Sequence, residues 1–138
     1  MFTAKLRRLW LAIRSAGVLA VLSICLFGVA SAGSTELIMF EEDGCGWCER
    51  WNKEVGIVYH KTVEGKRAPL RRMDTHEPLP RELRFIAKGG YTPTFVLVDQ
   101  EREIGRIRGY PGEEFFWGLL GKMLERLPAG AKNPATVN

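Results

Sequence analysis

Leu37-Ile38-Met39-Phe40-Glu41-Glu42-Asp43-Gly44-Cys45-Gly46-Trp47-Cys48-Glu49-Arg50 decides how this chain is read. The apolar run 37–40 has the length and character of a buried strand. Three acidic residues and a glycine end it, and two cysteines separated by two residues follow at the start of a plausible helix. Strand, short loop and a helix whose first turn carries both sulfurs is the arrangement of a redox dithiol. Backbone N–H groups at the helix start are unpaired and favour an anion, which makes Cys45 the expected nucleophile. Cys48, one turn in, is the expected resolving thiol, because two intervening residues let it reach a mixed disulfide formed at Cys45. Glu41, Glu42, Asp43 and Glu49 oppose a thiolate if they point at the sulfur and Arg50 favours it, so the net direction is not readable from sequence.

Before this stretch lies an export signal. Lys5, Arg7, Arg8 and Arg14 form a basic start, residues 18–29 are almost wholly apolar, and Ala30-Ser31-Ala32 is a small-x-small cleavage site. Residues 1–32 are therefore read as a signal peptide, cleaved or retained as an anchor, and the location as the periplasm. Cys25 falls inside the apolar segment, outside the chemistry. Bulky Ile24 before it argues against lipidation. The segment that follows, about 106 residues, is one domain, with residues 33–128 folded and 129–138 a flexible tail.

Charge excludes one class of partner. The formal +4 comes from 20 basic and 16 acidic residues, and four of the basic ones lie in the signal. The remainder is balanced, without the concentrated basic surface that nucleic-acid binding needs. Arg71-Arg72 and Arg102, Arg106 and Arg108 cluster, as solvated strand faces or as a docking surface for an acidic partner.

Further along, residues 47–55 suit a helix, with Trp51 and Val55 on one face and Glu49/Lys53 and Arg50/Glu54 as i,i+4 ion pairs. Glu64-Gly65-Lys66 reads as an exposed turn and residues 68–74 as a second strand. Pro78 and Pro80 open a short helix through Leu83, Phe85, Ile86 and Ala87 to Gly89-Gly90. Residues 94–98 form a strong strand, 99–101 a turn, and 103–108 its antiparallel partner. A last helix begins at Glu113 and carries Phe116, Leu119, Leu120, Met123, Leu124 and Leu127 on one apolar face, until Pro128. This order gives an α/β sandwich around a four-stranded mixed sheet.

Two alternatives to redox remain open at this level. A structural zinc site needs about four ligands, and only His60 and His76 stand beside the two cysteines. A permanent Cys45–Cys48 disulfide is compatible with a redox-inert binding module. Nothing calls for a cofactor, and there is no Ser-His-Asp elbow or glycine-rich phosphate loop. Trp47 shields the sulfurs, forms an apolar docking surface, or packs on the sheet edge. Tyr91-Thr92-Pro93-Thr94 leads into the strand at 94, where proline is tolerated. Locally a trans bond is the commoner expectation. A cis Thr92–Pro93 bond would lay the Thr92 backbone beside the dithiol, where a substrate strand pairs with it.

Cys45-Gly46-Trp47-Cys48, the Thr92-Pro93 step and the hairpin after it resemble the thioredoxin superfamily across residues 36–127. That resemblance implies a thioredoxin-like fold, a cis Pro93 facing the cysteines and thiol-disulfide oxidoreductase activity. Three departures accompany it. Gly46-Trp47 replaces the Gly-Pro of ordinary thioredoxin, and no room exists before Glu36 for its first strand and helix. Its buried acid and the partner lysine fall at Met39 and near Leu70. More narrowly, the chain resembles the small exported thioredoxin-like proteins of the bacterial sulfur-oxidation (Sox) system. The marks are Leu37-Ile38-Met39-Phe40-Glu41, Ala68-Pro69-Leu70-Arg71-Arg72, Thr92-Pro93-Thr94-Phe95-Val96-Leu97-Val98, and Gly109-Tyr110-Pro111-Gly112-Glu113-Glu114-Phe115-Phe116-Trp117. This implies reduction of the cysteine-bearing sulfur-carrier protein of thiosulfate oxidation, with electrons from a membrane thiol-disulfide donor. The alternative is a general periplasmic reductase, for example in cytochrome maturation. The expected site is Cys45 and Cys48, supported by Pro93, Thr92 and Trp47, with Tyr91 a further docking residue.

Overall fold

The computed structural model describes residues 34–128; the segments read as signal peptide and tail lie outside them. Four strands, β1 (Glu36–Glu41), β2 (Leu70–Asp74), β3 (Thr94–Asp99) and β4 (Arg102–Arg108), form one sheet in the order β2-β1-β3-β4. β1 runs parallel to β2 and antiparallel to β3, and β3 runs antiparallel to β4. The expected mixed sheet is thus present, and β1 is the first element among the described residues.

Alternation along the two central strands divides the core. Leu37 and Met39 of β1 join Phe95 and Leu97 of β3 on one face. Ile38 and Phe40 join Val96 and Val98 on the other. Both faces are covered, so the run 37–40 is wholly apolar instead of alternating with polar residues.

The first face is covered by helices. α1 (Gly46–Trp51) passes through a π-helical turn (Asn52–Gly56) into α2 (Ile57–Tyr59), so the helical path runs beyond the expected end at Val55. The Trp51 ring fills the space beside Gly56, where a Cβ would lie 3.1 Å from it. Arg50 and Glu54 pair at 2.8 Å; the pair expected between Glu49 and Lys53 is not among the ion pairs of the described residues. Residues 64–66, expected as an open turn, belong to α3 (Val63–Arg67). Thr62 caps this helix through the Gly65 N–H at 3.0 Å, and Gly65 is buried against Tyr59. α4 (Glu113–Leu124) closes the layer with Phe116, Leu120, Met123 and Leu124 buried. Leu119, expected on that face, is exposed.

The second face has no long helix. The element expected at 80–87 is only a 3-10 turn, Arg81–Leu83. Pro78 and Pro80 withhold N–H donors, and the turn alone brings Leu83 and Ile86 onto the sheet. The Lys88 ammonium donates to the Thr75 carbonyl at 2.8 Å and to that of Glu77, tying this covering segment together. Gln100 and Glu101 make the β3–β4 turn, both at positive φ.

Candidate active site

The dithiol sits where β1 ends. Gly44, at φ 74°, takes the left-handed turn that a side chain would disfavour, and Cys45 becomes the N-cap of α1. Cys45 and Cys48 are joined as a disulfide, with Cα atoms 5.2 Å apart. The Cys48 N–H donates to Cys45 Sγ at 3.1 Å, so the sulfur takes the place of a capping oxygen. The two sulfurs differ in access. Cys45 is half-buried, whereas Cys48 is 3% exposed and belongs to the cluster containing Met39, Trp51 and Phe95. Buried polar or charged residues among those described are Thr35, Thr94 and Asp99. Asp99 lies at the far end of β3 and accepts from the Thr35 hydroxyl at 2.6 Å. No carboxylate is therefore buried beneath the dithiol among the described residues, and Met39 occupies the central strand there.

The segment 91–94 comes against the dithiol loop. The Thr92–Pro93 bond is cis. The Thr92 hydroxyl donates to the Glu42 carboxylate at 2.5 Å, and His76 Nε2 lies 3.4 Å from the other Glu42 oxygen. The Thr94 hydroxyl donates to the Tyr91 carbonyl at 2.6 Å, and the Gly109 N–H to the Pro93 carbonyl at 2.7 Å. Sequence reasoning named Glu42 as a charge that could oppose a thiolate, but not as a partner of Thr92. Their contact joins positions 50 apart, and nothing local announces it.

A groove of about 490 Å³ opens here, lined by Trp47, Tyr91, Thr92, Arg108, Tyr110 and Pro111 with Gly109. Trp47 and Tyr91, named separately from sequence, line the same groove, and Trp47 is 55% exposed instead of packed on the sheet. One wall is braced through a chain of polar contacts. The Arg50 guanidinium lies 5.6 Å from the Trp47 ring centroid and donates to Glu54 at 2.8 Å. The Tyr110 hydroxyl donates to the second Glu54 oxygen at 2.6 Å. These two donors, Tyr110 first, hold the Glu54 carboxyl below its ordinary pKa. Burial, then the Glu54 contact, pushes the Tyr110 phenol upward.

The histidines considered as zinc ligands lie apart in their roles. His76 contacts Glu42, and His60 lines a separate cavity with Tyr59, Gly65, Pro69 and Arg72. Among the described residues no group of three or more His, Cys, Asp or Glu is gathered as metal ligands would be.

No family model matches the chain, and no curated protein matches it. Among solved structures, the periplasmic thioredoxin SoxS from Paracoccus pantotrophus, in its reduced form, is 42% identical. The match covers 67% of this chain and 98% of that one, with a TM-score of 0.64. The chain belongs to the thioredoxin superfamily. A thioredoxin-like protein from Clostridium perfringens is 23% identical, covering 79% of this chain and 81% of that one at a TM-score of 0.52. Thioredoxin-2, a component of malaria parasite protein secretion machinery, is 21% identical over 70% and 90%, at 0.50. These two agree in fold. With its Cys45–Cys48 disulfide in a Cys-X-X-Cys loop, this superfamily member is a thiol-disulfide oxidoreductase whose substrates are protein thiols and disulfides.

Proposed function

We propose that the protein is a periplasmic reductase that keeps the cysteine-bearing sulfur carrier of thiosulfate oxidation in its active thiol form. The observation that carries this reading is the 42% identity to the periplasmic thioredoxin SoxS over 98% of that chain. Export depends on the N-terminal signal, cleaved or retained as an anchor, and electrons return through a membrane thiol-disulfide donor.

Cys45 is the attacking sulfur in this scheme. It is the accessible member of the pair, and the Cys48 N–H that reaches it would stabilise a thiolate there. Attack on a partner disulfide, or on a blocked partner thiol, forms a mixed disulfide and expels the other sulfur as a thiolate, which takes a proton. Cys48 then attacks Cys45 Sγ, regenerating the intramolecular disulfide and releasing the partner thiol. Two electrons have passed to the partner, and the membrane donor restores them. Because no carboxylate among the described residues is buried beside Cys48, the departing thiolate or water at the Cys45 opening receives its proton. The Thr92 backbone next to Pro93 aligns the partner strand, and Trp47 and Tyr91 provide apolar contact in the groove.

The test is to arrest the reaction halfway. Cys48→Ser leaves Cys45 able to attack but removes the resolving thiol, so partners accumulate as mixed disulfides in periplasmic extract. The sulfur carrier is expected as the dominant adduct. Many unrelated proteins without it would refute the specific role. Reduced wild type that cleaves a protein disulfide no faster than Cys45→Ser would remove the assigned nucleophile.

A further inference from the structure

The groove beside the dithiol has three aromatic side chains among its lining residues, together with a cation that has no ion-pair partner among the described residues. Arg108 is exposed at the end of β4 and lines the groove with Trp47, Tyr91, Tyr110 and Pro111. Two carboxylates near the groove, Glu54 and Glu103, are already engaged. Glu54 accepts from both Arg50 and Tyr110. Glu103 feels the Arg108 charge, but Arg106 holds both its oxygens, at 2.6 and 2.5 Å. Among the described residues no carboxylate forms an ion pair with Arg108. Around the dithiol loop itself the charge is acidic, with Glu42 held by the groove residue Thr92 and by His76, and with Asp43 and Glu49 exposed. Charge across the opening is therefore unequal. A segment entering the groove meets aromatic surface and one uncommitted guanidinium.

We propose that Arg108 is a specificity-determining residue, selecting extended partner segments that carry a carboxylate side chain close to the cysteine being reduced. This rests on the reductase reading above and adds the character of the preferred segment. An acidic side chain on the Arg108 side gains a guanidinium partner. A basic side chain there meets like charge. The aromatic surface holds the rest of the segment irrespective of its charge, so selection resides in one contact.

The test uses the pre-reduced full domain and short peptides whose single cysteine is blocked as a mixed disulfide with 2-mercaptoethanol. Each turnover oxidises the protein dithiol and yields one peptide thiol and one 2-mercaptoethanol. Glu or Lys is placed at each neighbouring position in turn, and the ratio of their reduction rates is the readout. At low ionic strength the best-placed Glu peptide is expected to react about two- to fivefold faster than its Lys counterpart, the range for an exposed ion pair. The ratio should approach unity at about 1 M salt, where the screening length is about 3 Å. Arg108→Lys should retain the preference, Arg108→Gln remove it and Arg108→Glu reverse it. An unchanged ratio in Arg108→Glu overturns the assignment, as does an equal loss with both peptides, which would indicate only a structural role. Cys45-dependent reduction without charge preference overturns this inference alone. Absence of Cys45-dependent reduction overturns the reductase reading with it.

Discussion

Replacing Met39 by aspartate returns a carboxyl to the position where the thioredoxin resemblance places a buried acid, in a cluster where the Trp51 indole N–H is the buried donor left unpartnered among the described residues. Met39 is fully buried in the cluster with Cys48, Trp51 and Phe95. Losing its side chain forfeits about 1.5–3 kcal/mol of apolar burial. Burying a neutral carboxyl without a hydrogen bond costs about 1–3 kcal/mol more. Met39→Asn carries a similar penalty without titrating and serves as the reference. The aspartate adds a pH dependence of known sign. Burial raises its folded-state pKa above the unfolded value near 3.9. Stability relative to Met39→Asn is therefore fully present below that value and falls as pH rises toward the folded pKa. The slope is about 1.4 kcal/mol per pH unit, reaching about 4 kcal/mol by pH 7. Since small domains have about 5–15 kcal/mol in all, the aspartate variant should approach unfolding near neutrality. Urea denaturation of the oxidised proteins from pH 4 to 7, followed by tryptophan fluorescence, measures the difference. Equal stability of the two variants across that range would refute a sealed apolar floor under the dithiol, as would either lying within about 1 kcal/mol of wild type.

Gly65→Ala should destabilise by at least about 2 kcal/mol in thermal denaturation, because its Cβ would lie 1.9 Å from the Tyr59 carbonyl oxygen. Gly118→Ala, in the exposed middle of α4 with nothing within 4 Å of the new carbon, should stabilise by about 0.5–1 kcal/mol instead. For Glu54, the Tyr110 hydroxyl and then Arg50 depress the folded-state pKa. Its contribution is present above the unfolded carboxylate value near 4.3 and lost as pH falls through the folded value. The stability gap between wild type and Glu54→Gln should narrow on acidification below about pH 5, read by chemical denaturation; a gap that widens would contradict the contacts described.

The parts of the fold legible in sequence are those dictated by local pattern. Residues 37–40 and 95–98 are apolar on both alternating sets because both sheet faces are covered, and their flanking acids and turns mark the ends. The cysteine spacing located the dithiol by the same kind of short-range logic. The segment at 80–87 misled because leucine and isoleucine at helical spacing are also satisfied by a 3-10 turn, and two prolines leave little more. At 63–67 a glycine suggested a loop, although it is there to admit the Tyr59 backbone. The Thr62 cap was the available signal. Groove residues were harder to assemble, since the Glu54–Tyr110 contact spans 56 positions and depends on the finished sheet bringing the π-helical turn after α1 and the β4 end together.

The acidic residues before Cys45 illustrate why a list of nearby charges does not describe a redox site. From sequence, Glu41 and Glu42 oppose a thiolate if their side chains point at the sulfur, which adjacency alone does not decide. In the fold, Glu41 accepts from Arg72 at 2.7 Å, while Glu42 takes the Thr92 hydroxyl and contacts His76. Arg72 also lies over the Trp51 ring and donates to Asn52, so Glu41 is drawn toward the helix flank. Glu42 instead links the strand end to the segment containing Pro93. Two carboxylates that could oppose the thiolate thus serve as ties between the elements that frame it. Asp43 and Glu49 remain exposed, where solvent and salt screen them. The buried side of the dithiol is consequently apolar and its open side is charged unevenly. Partner selection can then be tuned at the rim, through residues such as Arg108, without placing a charge beneath Cys48.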